Sequence, residues 1–170
     1  CDLKDGGIFA ACNSKQMREL EEKKQLWESH GHDNLELLSD TDTQKYIGTT
    51  RYKGALLDKS GGHFHPLNLV LGEAAAFESR GGVIYEDSPV TRVEEGAKAK
   101  VHTAKGCVTA NFVVVAGNAY LGDLIPKLQA KAMPCGTQVV TTAPLTPEQQ
   151  RELLPHDQCV EDCNYLLDYF

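Results

Sequence analysis

The stretch GGHFHPLNLVLGEAAAFESRGGVIYEDSPVTRV, residues 61–93, decides how the rest of the chain is read. Pro66 suits a first helical position, where its missing N–H costs nothing. Behind it Leu67, Val70, Leu71, Ala74 and Phe77 fall at helical spacing, and Gly81-Gly82 stops the helix. The small alanines on that helix predict close packing on a sheet. VIYED (83–87) and VTRVEE (90–95) read as two short strands around Ser88-Pro89. Upstream, residues 51–58 read as a strand that leads into a Gly61-Gly62 turn. Strands therefore flank a helix here, the pattern of a mixed α and β domain.

The same grammar extends in both directions. Gly6-Gly7 and the apolar Ile8–Ala11 predict a short strand ending near Asn13. Asn13 or Ser14 can cap a helix running to about His30, with Met17, Leu20, Lys24 and Trp27 on one side and Gly31 as its stop. That single modest stripe places the helix on a surface. Ser39, Asp40 and Thr41 offer caps for a short helical turn ending before Gly48. Toward the C-terminus, residues 98–118 predict a hairpin turning at Ala104-Lys105-Gly106. The run Phe112–Ala116 is continuously apolar, as in a parallel strand buried on both faces. Residues 136–144 read as a further strand. Thr146, Pro147 and Gln149 form a helix start with a capping box. The closing NYLLDYF is strand-like and bare, from which natural sequence is expected to continue past Phe170.

Composition narrows the partners. A net charge of −7 argues against nucleic acid, which needs clustered cations. No apolar run reaches the length of a membrane span, so no membrane partner is expected. The six cysteines are too scattered for a dense disulfide framework, which points to reduced thiols and a cytoplasmic setting. Cys159 and Cys163 lie four apart near His156, but no second pair completes a zinc pattern, so no metal is expected.

Two features carry chemistry. Strand Phe112–Ala116 runs into Ala116-Gly117, small residues that let another molecule approach the backbone at a strand's carboxyl end. A plain tight turn at Gly117 is the competing reading. His63 and His65 would share one strand face and could grip a metal, line a pocket, or serve the junction into the helix; no third ligand is nominated. The chain contains neither a GxGxxG after a strand nor a GxSxG elbow. The residues themselves thus reach an α+β or α/β domain, with a small-molecule site and a plain turn both open at Gly117.

GGHFHPLNLVLGEAAAFESRGGVIYEDSPVTRV, followed by GCVTANFVVVAGNAYLG (106–122), resembles the middle of FAD-dependent amine and amino-acid oxidoreductases of the D-amino-acid oxidase/glycine oxidase (DAO) superfamily. The resemblance implies an α+β fold cut from an α/β parent: a substrate-binding mixed sheet with flanking helices, plus the middle of an FAD domain. It divides the chain into substrate-domain residues 1–58, FAD-domain residues 59–122 and a substrate-domain continuation, 123–170. It implies FAD as cofactor, with the backbone of Val90 beside the adenine and Ala116, Gly117 and Asn118 bordering the dinucleotide. The family's A-G/S-G-x-W signature stands here as Ala116-Gly117-Asn118-Ala119-Tyr120, so Asn118 and Tyr120 replace glycine and tryptophan. It further implies a small amine or amino-acid substrate, γ-glutamylated polyamines included, with Tyr52, His63 and His65 on the substrate side. The glycine-fingerprint unit and the C-terminal segment of the family are missing from these residues, so a fragment that holds FAD weakly by itself is expected. The alternative is a non-catalytic binding or interaction module without cofactor.

Overall fold

The computed structural model describes residues 1–170, which form two compact units, Cys1–Phe77 with Thr142–Phe170, and Glu78–Thr141. The fold class is the expected one, mixed sheets with helices.

In the first unit β1 (Lys4–Ala11) leads through Asn13 into α1 (Ser14–Ser29). The Asn13 side chain accepts from the amides of Lys15 and Gln16, both at 3.0 Å, satisfying two donors the helix cannot use. Next come β2 (Leu35–Ser39), the single helical turn α2 (Asp40–Thr43) and β3 (Gly54–His63). The expected cap is present: Ser39 Oγ accepts from the Asp42 amide at 3.1 Å. After α3 (Pro66–Ser79) the chain leaves this unit and returns as α5 (Pro147–Leu153) and β7 (Cys159–Asp162). The sheet order is β2-β3-β1-β7, antiparallel except that β7 runs parallel to β1.

Both faces of this sheet are covered. Leu20 of α1 packs with Ala11, Leu35 and Leu56 on one face, beside Met17 and Trp27. The stripe expected on α1 is therefore its sheet-facing side. On the other face Ile8, Ala10, Leu38, Ile47, Tyr52, Ala55, Leu57 and Val160 form a second cluster. Double coverage explains why β3 reads GALL rather than alternating apolar and polar residues.

The second unit holds the antiparallel meander β4 (Val90–Glu94), β5 (Ala99–Thr103) and β6 (Gly106–Ala110). Thr103 pairs with Gly106 across the expected hairpin turn. The short helix α4 (Pro126–Gln129) follows. The capping box of Thr146 and Gln149 at the head of α5 is formed, as expected.

Several expectations need correction. Gly61-Gly62 is not a turn; both residues stay in β3, where Gly62 pairs with Asp5. A Cβ at Gly62 would lie 2.2 Å from Lys4 O, so glycine permits the close strand approach. Residues 83–87, Phe112–Ala116 and 136–144 are not strands. Phe112 and Val114 are each 89% exposed, because no strand of this chain pairs with theirs, and an apolar run becomes a ladder only with partners. No side chain of α3 is buried, against the expected sheet packing. The terminal NYLLDYF is largely open; its last residues pair with β7, Val160 and Phe170 exchanging bonds of 2.6 and 2.9 Å. Strands β2 and β7 were not anticipated.

Candidate functional site

In the first unit a groove of about 480 Å³ lies against the β7 side of the sheet. Ile8 and Val160, paired in register on neighbouring parallel strands, supply apolar wall. Leu154 and Phe170 extend it, and Asp157 and Glu161 bring carboxylates. Two polar atoms among its lining residues are buried without a hydrogen-bond partner, His63 Nδ1 and Gln158 Oε1. Such orphans are costly, and a ligand that pairs them recovers what their burial loses. Gly6, at φ +97°, makes room for Gln158: a Cβ there would sit 2.6 Å from its Cγ. Cys159 also lines the groove, and burial pushes its thiol up from the ordinary value.

The three substrate-side candidates are not gathered here. His63, the last residue of β3, lines the groove. His65 is exposed and caps α3: its Nδ1 accepts from the Asn68 amide at 3.3 Å, and its carbonyl from Leu69 at 3.1 Å. Tyr52 lies in the core cluster with Ile8 and Leu57, and burial, the largest influence, pushes its phenol up. Gln158 escaped sequence reasoning, since a lone glutamine ahead of an unrecognised strand carries no pattern.

The four cofactor candidates belong to the second unit. Val90 opens β4, opposite Thr103, beside a register shift between Val90 and Arg92. Ala116 and Asn118 are solvent-facing, and Gly117 fits tightly: a Cβ there would meet Leu121 Cα and Cδ1 at 3.3 Å. Asn118 adopts φ +46°, the left-handed region that glycine favours and asparagine tolerates best among L-residues. That conformation accounts for asparagine standing where the family signature has glycine. Small side chains and an exposed, unladdered backbone suit close approach by a dinucleotide, so these residues fit the group. Asn118→Gly should leave stability within about 0.5 kcal/mol, whereas Asn118→Val should cost roughly 1–2 kcal/mol, read by urea denaturation. Equal stability of the two variants would mean the backbone relaxes out of the left-handed region.

Residues 1–170 match the DAO family of FAD dependent oxidoreductases, and the chain belongs to that family. It is 54% identical over 171 residues to gamma-glutamylputrescine oxidoreductase of Escherichia coli, covering 100% of this chain and 40% of that protein. It is 35% identical to a Haemophilus influenzae protein named "Probable oxidoreductase OrdL", covering 41% of it. The chain thus spans about 40% of the length of the curated relatives it matches. Among solved structures it resembles L-proline dehydrogenase from P. horikoshii, with TM-score 0.71 at 16% identity over 95% of this chain and 44% of that one. It also resembles glycine oxidase from Geobacillus kaustophilus, with TM-score 0.66 at 21% identity over 75% of this chain and 35% of that one. No helix is long and apolar enough to cross a membrane.

Proposed function

We propose that this chain serves an FAD-dependent oxidation of a small amine, with a γ-glutamylated diamine as the favoured substrate class. The observation that carries the reading is the 54% identity to gamma-glutamylputrescine oxidoreductase across the entire chain. When bound, FAD would supply a two-electron acceptor for hydride from the carbon beside the amine nitrogen, chemistry that would give an imine open to hydrolysis and, with oxygen, peroxide. The backbone of Val90 and the turn Ala116-Gly117-Asn118 would hold the dinucleotide. In the first unit, the apolar groove wall of Ile8, Leu154, Val160 and Phe170 suits a methylene chain. Gln158 Oε1 would accept an N–H from the substrate, and Asp157 and Glu161 favour a cationic one. His63 would present Nδ1 to a polar group of the substrate. The six free thiols support a reducing, cytoplasmic setting.

The test begins with the protein expressed from the complete reading frame. It should carry a visible flavin band that bleaches anaerobically on adding γ-glutamylputrescine. Colourless protein that takes up no FAD would overturn the reading. His63→Ala should raise KM for the amine about five- to tenfold, the loss of one hydrogen bond, with kcat largely kept. His65→Ala should leave KM unchanged. Unchanged kinetics for His63→Ala would remove it from the substrate side.

A further inference from the structure

The first unit holds a second cavity, about 570 Å³, beside the groove. The two share Leu154, Asp157 and Phe170 as lining residues, so they adjoin across one wall. Backbone bonds fix each of those residues. The Leu154 amide donates to Gln150 O at 2.9 Å, and the Asp157 amide to Leu154 O at 3.1 Å. Asp157 completes that turn in the left-handed region, at φ +56°. Phe170 is held by its exchange of backbone bonds with Val160. The far side is built as firmly, with the Gly48 amide donating to Leu153 O at 2.9 Å. A Cβ at Gly48 would lie 1.9 Å from Glu152 O, so glycine lets this loop lie against α5.

Ile47, Leu145, Leu153, Leu154 and Phe170 make the wall of this cavity apolar. Leu145 and Leu153 remain 45% and 48% exposed, so an apolar occupant has surface left to bury there. Thr49 Oγ1 already accepts from the Arg51 amide at 3.2 Å. Among the lining side chains only Asp157 carries charge, and it belongs to the groove as well. Lys4 Nζ stands 3.7 Å from Asp157 Oδ2, an exposed pair that contributes little. We infer that the second cavity is an alkyl subsite of the groove, taking the far methylenes of a long-chain primary amine. The nitrogen sits on the groove side, where Gln158 Oε1 lacks a donor and Asp157 supplies negative charge. The hydrocarbon runs past Leu154 and Phe170 into the cavity, which has no polar partner to offer a second charged end. The inference rests on the amine reading of the groove and adds a chain-length preference to it.

The experiment is titration calorimetry of n-alkylamines, butylamine to octylamine, into the protein expressed from the complete reading frame. Each added methylene should tighten binding roughly threefold, the gain of burying one CH₂. Leu153→Trp, which fills the cavity from a half-exposed position, should flatten the series to less than about twofold overall and leave butylamine unchanged. Thermal unfolding checks that the variant is folded, and Leu145→Trp, ahead of α5, is a second filler should it not be. Affinity that does not rise with chain length would overturn the inference. So would an undiminished rise in a folded filler variant, because the tails would then lie elsewhere. Heats of binding need no turnover, so the two readings fail separately. A flavin that γ-glutamylputrescine does not bleach defeats the proposed function, while the chain-length series still reports on the cavity.

Discussion

Asp162→Ala should destabilise the first unit by about 3 kcal/mol, the scale of leaving buried donors unpaired. Asp162 closes β7 and is 0% exposed. Its Oδ1 accepts from the amides of Asn164 at 3.1 Å and Asp168 at 3.3 Å. Its Oδ2 accepts from Asn164 Nδ2 at 2.7 Å and from Arg51 Nη2 at 3.4 Å. One carboxylate thereby folds residues 163–168 back so that Tyr169 and Phe170 return along β7 and line the groove. Arg51 is 53% exposed, so Arg51→Ala should cost no more than about 0.5 kcal/mol. Urea unfolding of both variants measures the difference. A loss below about 1 kcal/mol for Asp162→Ala would mean that backbone pairing of Val160 with Phe170 holds the loop unaided.

Leu56→Ala should cost about 3–4 kcal/mol, with a lowered urea midpoint and an unchanged slope. Leu56 is 0% exposed at the centre of β3 and packs with Ala11, Leu20 and Leu35. Truncation leaves a void beneath α1 that strands paired on both sides cannot close. Leu56→Met, which keeps the volume, should cost less than about 1.5 kcal/mol. A small loss for alanine would show that α1 settles onto the sheet.

The elements legible in the sequence are those whose signal is local. Asn13 capping α1, Pro66 opening α3 and the Thr146/Gln149 box of α5 each depend on atoms within four residues. The β5–β6 hairpin is equally local. Strands β2 and β7 escaped because their pairing is remote: β2 needs β3, and β7 runs parallel to β1, which precedes it by most of the chain. Phe112–Ala116 misled in the opposite sense, since an apolar run forms a strand only where other strands ladder to it, and none does here. The site divides in the same way. His63 was legible as a candidate from its pairing with His65 and from the family resemblance, and the turn around Gly117 from its small residues. Gln158, and the withdrawal of Tyr52 into the core and of His65 to a helix cap, were not.

By itself the sequence determined helices α1, α2, α3 and α5, the hairpin, the mixed fold class and the family, because caps, periodicity and motif residues act over a few positions. Only the tertiary structure decided that β3 runs straight through Gly61-Gly62, because glycine matters there for what approaches it, Lys4 O, rather than for its own turn-forming freedom. Only the tertiary structure, likewise, set His63 and Gln158 in one groove, their orphaned atoms buried by a sheet that joins the two ends of the chain.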